Sequence, residues 1–158
     1  MTTPLRLRAA ELGDARLLFD WANDPIVRAQ SFTQATIPWA DHERWFARKL
    51  GDPRCLLWIA EDAQGQPVGQ VRFDLGQDAT AIISVSMAPD QRGRGYGATA
   101  IAQACAALRA RHGSLTVLAY IRPDNLASQR AFSRAGFTAP VALDYQGHAA
   151  VRQSLELG

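Results

Sequence analysis

The chain has 158 residues, 47% of them hydrophobic and 20% charged, with a formal net charge of +2 at pH 7. That length suits one domain with a sizeable core, and that balance excludes wholesale disorder. The small net charge and the scatter of the arginines argue against nucleic acid as a partner.

In chain order, Leu5-Arg6-Leu7-Arg8-Ala9 alternates apolar and basic residues, the period of a half-buried strand. The start, Met1-Thr2-Thr3-Pro4, carries no apolar leader. No later apolar run is long enough to span a bilayer, so a cytoplasmic chain without a membrane partner is expected. Asp14 is a good N-cap for a helix running to about Asn23, with Leu17, Leu18 and Trp21 on one face. Asp24-Pro25 stops it, because proline disfavours helical geometry in the residue before it. A second helix opens near Pro38-Trp39. Its Trp39, His42, Phe46 and Leu50 follow the helical period, and Gly51 with Pro53 ends it.

The middle changes character. Leu56 to Ala60 reads as a strand, Asp62 to Gln66 as a turn, and Val68 to Phe73 as the returning arm of a hairpin. Ala79 to Met87 is a third strand bounded by Pro89. Gly97 to Arg111 is an alanine-rich helix with Ile101, Ala104, Cys105 and Leu108 at helical spacing, closed by Gly113. Leu115 to Ile121 is another strand, and Asn125 to Ala135 a helix capped by Gly136. Two weak strands follow, around Thr138–Leu143 and Ala149–Leu157. One α/β domain over residues 1–158 is the reading. Cys55 and Cys105 lie in apolar runs and read as buried free thiols. They share no ligand spacing with His42, His112 or His148, so no metal is expected.

The stretch that carries chemistry is the strand ending at Met87, then Ala88-Pro89-Asp90, then Gln91-Arg92-Gly93-Arg94-Gly95-Tyr96-Gly97, then the long helix. Gly93, Gly95 and Gly97 clear side chains where the backbone turns into the helix. The first amides of that helix have no partner of their own, and its dipole adds partial positive charge. Such a terminus binds a phosphate or pyrophosphate, with Arg92 and Arg94 beside it. An exposed turn with two arginines has the same composition. A dinucleotide loop would instead open the first strand–helix unit and be followed by an acid at the end of the next strand. Leu115-Thr116-Val117-Leu118 ends without one. A Walker-type loop is excluded, since no lysine and hydroxyl pair follows the last glycine.

Arg92-Gly93-Arg94-Gly95-Tyr96-Gly97 resembles the acyl-CoA pyrophosphate loop of the GNAT superfamily of N-acetyltransferases. Its signature is arginine or glutamine, two residues, glycine, one residue, then glycine or alanine. Asn125 to Phe137 is similar to the second GNAT signature, in which asparagine opens the last helix and glycine–aromatic closes it. The resemblance runs over nearly the whole chain. It implies a mixed, splayed central sheet with helices on both faces, and acetyl-CoA as co-substrate between the strands ending at Met87 and Ile121. It also implies that Val85, Ser86 and Met87 bond the pantetheine, and that the amides of Arg92, Gly93, Arg94, Gly95, Gly97 and Ala98 receive the pyrophosphate. Asn125 and Ser128 would hold the arm near the sulfur, although Asn125 also satisfies an ordinary N-cap preference.

Acetyl transfer to an amine needs few groups. An ammonium of pKa about 10 must lose a proton, and a thiolate whose thiol has a pKa of about 8.5 must leave. A backbone N–H near Met87 could serve the oxyanion. Where many family members carry a tyrosine in the last helix, proposed as the acid, this chain has Phe132, which cannot donate. Ser128, Tyr120 or a water could substitute. The glutamate often found as base in the third strand is also missing, which leaves Asp74 and Glu61 as carboxylate candidates. Asp74 and Ser128 are the catalytic expectations.

Trp21-Ala22-Asn23-Asp24-Pro25, Arg28 and His42 are similar to two GNAT subgroups. One acetylates amino-sugar nucleotides in nonulosonic (pseudaminic) acid synthesis; the other acetylates ribosomal-protein N-termini. The resemblance implies that Trp21, Arg28, His42 and Trp45 contact the acceptor, a small-molecule amine in the favoured reading. Tryptophan faces and arginine suit the base and phosphate of a sugar nucleotide. Family members often form homodimers, though no exposed apolar stripe here demonstrates one.

Overall fold

The computed structural model describes residues 4–158; the reading of the leaderless start at Met1 to Thr3 lies outside them. Seven strands form one sheet in the order β1-β2-β3-β4-β5-β7-β6. They are β1 (Arg6–Ala9), β2 (Cys55–Glu61), β3 (Pro67–Leu75), β4 (Thr80–Met87), β5 (Leu115–Ile121), β6 (Val141–Tyr145) and β7 (His148–Leu157). All neighbours run antiparallel except β4 and β5. The helices are α1 (Ala15–Ala22), α2 (Pro25–Ala29), α3 (Trp39–Gly51), α4 (Tyr96–His112) and α5 (Leu126–Arg134).

The period-2 alternation of the strands feeds two cores, one on each face of the sheet. On one face Trp58, Val71, Phe73, Ala81, Ile83 and Val117 meet Ala100, Ile101, Ala104 and Leu108 of α4, with Phe132 of α5. The small residues of α4 let it lie close against the sheet. On the other face Leu57 and Ile59 of β2 meet Leu18 and Trp21 of α1 and Phe46 of α3. Phe46 is 1% exposed, and a cavity at such a position costs about 3–5 kcal/mol. Helices thus cover both faces, as the fold expectation required.

Three local differences follow from capping and from proline. Asp14 precedes α1, but its carboxylate turns back to accept from the Glu11 amide at 2.8 Å and to pair with Arg8. After Asp24 the chain makes the short extra helix α2. Pro25 stands at its start, where a missing N–H costs nothing, and the Asp24 side chain caps it. The last two strands start later and earlier than expected, at Val141 and His148. Pro140 cannot donate to a ladder, and a two-residue turn with positive φ at Gln146 and Gly147 sets Tyr145 opposite His148.

Candidate active site

The sheet opens into a fork between β4 and β5. Only Thr80, Ala81 and Ile82 pair with Thr116, Val117 and Leu118. Beyond Ile82 and Leu118 the strands part, so the β4 edge from Ile83 to Met87 lacks a β5 neighbour. The other edge of β4 stays paired, with Met87 opposite Gly69 on β3. A Cβ built on Gly69 would strike Met87 Cε and lie 2.8 Å from the Ser86 carbonyl oxygen, so glycine there lets Met87 lie across β3.

At the mouth of the fork the chain turns into α4. Gly93 and Gly95 both have φ of 78°, the left-handed region that favours glycine, and Gly95 is the N-cap of α4. The helix ladder begins with the Thr99 amide on the Gly95 carbonyl. Among the described residues, no backbone acceptor meets the amides of Gly93, Gly95, Gly97 or Ala98, which are free to face an anion at the positive end of a helix dipole. A Cβ on Gly97 would meet only Ala131 Cβ at 3.6 Å; any demand for glycine at that position comes from whatever enters the cleft.

Arg92 serves the loop in two ways. Its side chain leaves the mouth and binds Asp24 Oδ2 at 2.9 Å, and a second contact runs to the Met87 carbonyl oxygen at 3.4 Å. Asp24 in turn caps α2 by accepting from the Ile26 and Val27 amides. Across the fork, Asn125 caps α5, its Oδ1 accepting from the Ser128 amide at 3.2 Å. That leaves the Asn125 Nδ2 and the Ser128 hydroxyl available to the cleft.

The cleft has two adjoining sections. The outer, about 390 Å³, runs along Val85, Ser86, Met87, Arg92, Gly93, Gly95, Gly97 and Ala98 to Arg130 and Arg134 of α5. The inner, about 230 Å³, runs between Ile83–Val85 and Ala119–Ile121 to Phe32 and Phe132. Gln30, Ser31, Val85, Asn125 and Ser128 line both, so the two sections adjoin at these five residues. Of the residues expected to hold the donor, all but Arg94 line the outer section, and Arg94 is exposed beside it.

Residues 4–138 match the family model of the acetyltransferase (GNAT) domain. The chain belongs to the GNAT acetyltransferase family. Its donor is acetyl-CoA, and its activity is acyl-CoA-dependent N-acetylation. The solved structures agree in fold. The chain is similar to the spermidine N-acetyltransferase from Vibrio cholerae in complex with CoA and spermine, with a TM-score of 0.87 at 20% identity, over 97% of this chain and 95% of that one. The aminoglycoside acetyltransferase AAC(6')-Ib in complex with coenzyme A gives 0.83 at 17% identity, over 96% and 94%. A domain from Methanocaldococcus jannaschii gives 0.84 at 17%, over 98% and 99%. No curated protein matches the sequence.

In this acetyltransferase several expected acceptor contacts turn out to have structural work. Trp21 is 6% exposed in the core under α1. His42 is 3% exposed and its Nε2 donates to the Ala15 carbonyl oxygen at 3.0 Å, among Phe19, Trp39, Trp45 and Phe46. Burial lowers the His42 pKa, against the smaller opposite pull of that hydrogen bond. Arg28 spends its donors on the carbonyls of Ala22, Thr33 and Ala35 and on Ser31 Oγ, which ties down the segment 30–37 that roofs the cleft. Asn23 grips the same segment through both the amide and the carbonyl of Ile37. Trp45 packs beside the core with the Arg72 guanidinium 5.1 Å from its ring centroid. None of the four lines the cleft.

The carboxylate candidates are also displaced. Asp74 sits opposite Ile82, at the closed end of the fork, and binds Lys49 Nζ at 2.7 Å and Arg72 Nε at 2.9 Å. Burial pushes its carboxyl up, but Lys49 and Arg72 outweigh that and hold it below the ordinary carboxylate range. A carboxylate so stabilised is a poor base. Glu61, at the β1 edge, is fixed by Arg8 and Arg6 at 3.0 Å each; the hydrogen bond from Arg8 lowers its pKa most, against burial. Neither lines the cleft. Phe132 is 3% exposed and packs edge-on against Phe137 at 5.0 Å, closing the inner section with an apolar face.

Phe32 lies in the polar and aromatic stretch read from the sequence as the acceptor side, whereas nothing in the sequence pattern singles out Gln30, Ser84 or Tyr145. Ser84 lines the inner section and accepts from Arg72 Nη2 at 3.1 Å. Phe32 lies 5.6 Å from the Tyr145 ring, which stacks flat on Tyr120 at 3.9 Å and 10°. The signal for Tyr145 was the turn chemistry of Gln146-Gly147, which joins β6 to β7 and sets Tyr145 opposite His148, stacked on Tyr120.

Proposed function

We propose that this acetyltransferase acetylates the primary amine of a small molecule, an amino-sugar nucleotide or a compound of similar size, within the fork between β4 and β5. The observation that carries this reading is the meeting of the two cleft sections at Gln30, Ser31, Val85, Asn125 and Ser128. An acyl-CoA suits the outer section: open amides at the start of α4 for the pyrophosphate, and the unpaired edge Val85–Met87 for the pantetheine. Arg94, Arg130 and Arg134 add positive charge along the same section. When bound, acetyl-CoA supplies a thioester; a C–N bond forms, the C–S bond breaks, and the products are an amide and the CoA thiol.

The chain's own residues then position and protonate. The lining residues include no carboxylate and no histidine, so the ammonium gives its proton to solvent, and proximity carries much of the acceleration. Ser128 takes the part of the acid in place of a tyrosine at Phe132, because Ser128 lines both sections. The test is release of free thiol from acetyl-CoA across a panel of 4-amino-sugar nucleotides, arylalkylamines, polyamines and peptides. Turnover of the small ring-bearing amines is expected. A preference for peptide N-termini would overturn the acceptor class, and acetyl-CoA binding without turnover of any amine would overturn the activity in this cleft.

A further inference from the structure

The inner section is lined by the aromatic rings of Phe32, Tyr120 and Phe132, with guanidinium groups behind its walls, and the nearby carboxylates are already paired. Asp74 is held by Lys49 and Arg72, and Asp24 by Arg92. Arg72 reaches Ser84 Oγ at 3.1 Å, Arg152 stands directly across from Tyr120 on β7, and Arg28 lies behind Ser31 at 3.2 Å. Glu156 shares the Arg152 face of β7 but is level with Thr116, at the closed end of the fork. None of the residues lining the inner section is acidic.

The rings are spare. Phe32, Tyr120 and Tyr145 belong to neither core, and Phe32 also approaches His148 at 5.7 Å. Such faces favour a flat apolar partner, and a single ammonium can rest on them before it loses its proton. A second or third ammonium would find no carboxylate among the lining residues, with the guanidinium groups of Arg72 and Arg28 behind Ser84 and Ser31, and like charges disfavour a ligand as good contacts favour one.

Resting on the reading that this cleft acetylates an amine, we infer that the acceptor is a primary amine whose molecule carries a flat ring and no second cationic group, that ring held against Phe32 and the Tyr120–Tyr145 stack. The acceptors named for two structural relatives, polyamine and aminoglycoside, are therefore poor substrates here.

The test compares tyramine and tryptamine with spermidine and kanamycin in two assays: thiol release from acetyl-CoA, and calorimetric titration into protein saturated with CoA. Tyramine should exceed spermidine in kcat/KM by about tenfold or more, the effect of one lost ion-pair partner or ring contact. Phe32→Ala should raise the tyramine KM by about tenfold while leaving the acetyl-CoA KM unchanged, and Phe32→Tyr should restore it. Spermidine or kanamycin equal to or better than tyramine in either assay overturns the inference, as does an unmoved KM in Phe32→Ala. If no amine turns over, the proposed activity fails, and the titration ranking still decides the acceptor class.

Discussion

Arg92 Nη2 lies 2.9 Å from Asp24 Oδ2, and this contact ties the donor loop before α4 to the cap of α2 on the acceptor side of the cleft. The Asp24 carboxylate does two jobs, capping and pairing, and the two can be separated. Asp24→Asn keeps a cap of similar quality but loses the ion pair. With the Arg92 and Asp24 side chains 29% and 14% exposed, the pair is screened and worth about 1 kcal/mol, or about fivefold in acetyl-CoA affinity. Asp24→Ala removes the cap as well and should lose about a further 1 kcal/mol of stability. Calorimetric acetyl-CoA affinity and Tm of the two variants check this.

Gly69 faces Met87 across β3 and β4, and a side chain at 69 meets both Met87 and the Ser86 carbonyl oxygen. The backbone cannot yield as a flexible side chain can. Gly69→Ala should cost about 1–3 kcal/mol, a Tm decrease of about 5 °C in a domain of this size. Because Met87 lines the outer section, the same variant should raise the acetyl-CoA KM. A Tm and KM equal to wild type would contradict the packing described for this strand pair.

Burial disfavours the charged His42 ring and holds its folded pKa below the ordinary value, against the smaller opposite pull of the bond to the Ala15 carbonyl oxygen. Its folded pKa lies below the unfolded value, so between the two the unfolded chain binds more protons. Stability is therefore complete above about pH 6.5 and declines as pH falls below that value. His42→Gln, which can donate to the same carbonyl, should flatten the fall in Tm between about pH 6.5 and pH 5. An equal decline in wild type and variant would remove His42 as the cause.

If the ammonium gives its proton to solvent, as proposed, the acceptor's own pKa should govern the alkaline rise in rate. We expect kcat/KM for a simple amine to climb with pH toward that amine's pKa of about 10, following the amine when it is exchanged for a less basic one. A plateau fixed near neutral pH for every amine would indicate a protein base that this structure does not place at the fork.

The glycine loop and the cap at Asn125 were legible because they are written in backbone geometry. Gly93 and Gly95 occupy left-handed conformations that glycine favours, and Asn125 caps the helix it was expected to open. The fork itself follows from β4 and β5 pairing for a short stretch before each diverges. The acceptor side was not legible, since polar and aromatic residue types say nothing about which way a side chain faces. Trp21 and His42 satisfy the helical period of their segments by turning inward, and Arg28 and Asn23 were committed to carbonyls and an amide of the segment 33–37. Tyr145 lies remote in sequence from the fork and reaches it only through the sheet order that sets β7 and β6 beyond β5. The thiols did read correctly as buried: Cys105 is 3% exposed and burial pushes it up to about 12.

The central claim is that acetyl-CoA lies in the fork with its pyrophosphate on the amides before α4. It is tested most directly by titrating acetyl-CoA into the wild type and Gly95→Trp by calorimetry, with Tm recorded for both. Among the described residues, apart from the chain neighbours of Gly95, nothing lies within 4 Å of a Cβ built there, although its φ of 78° adds a strain of about 1–2 kcal/mol. The account predicts saturable binding in the wild type and none in the variant, which stays folded with a modest fall in Tm. Binding by Gly95→Trp at wild-type affinity would contradict it.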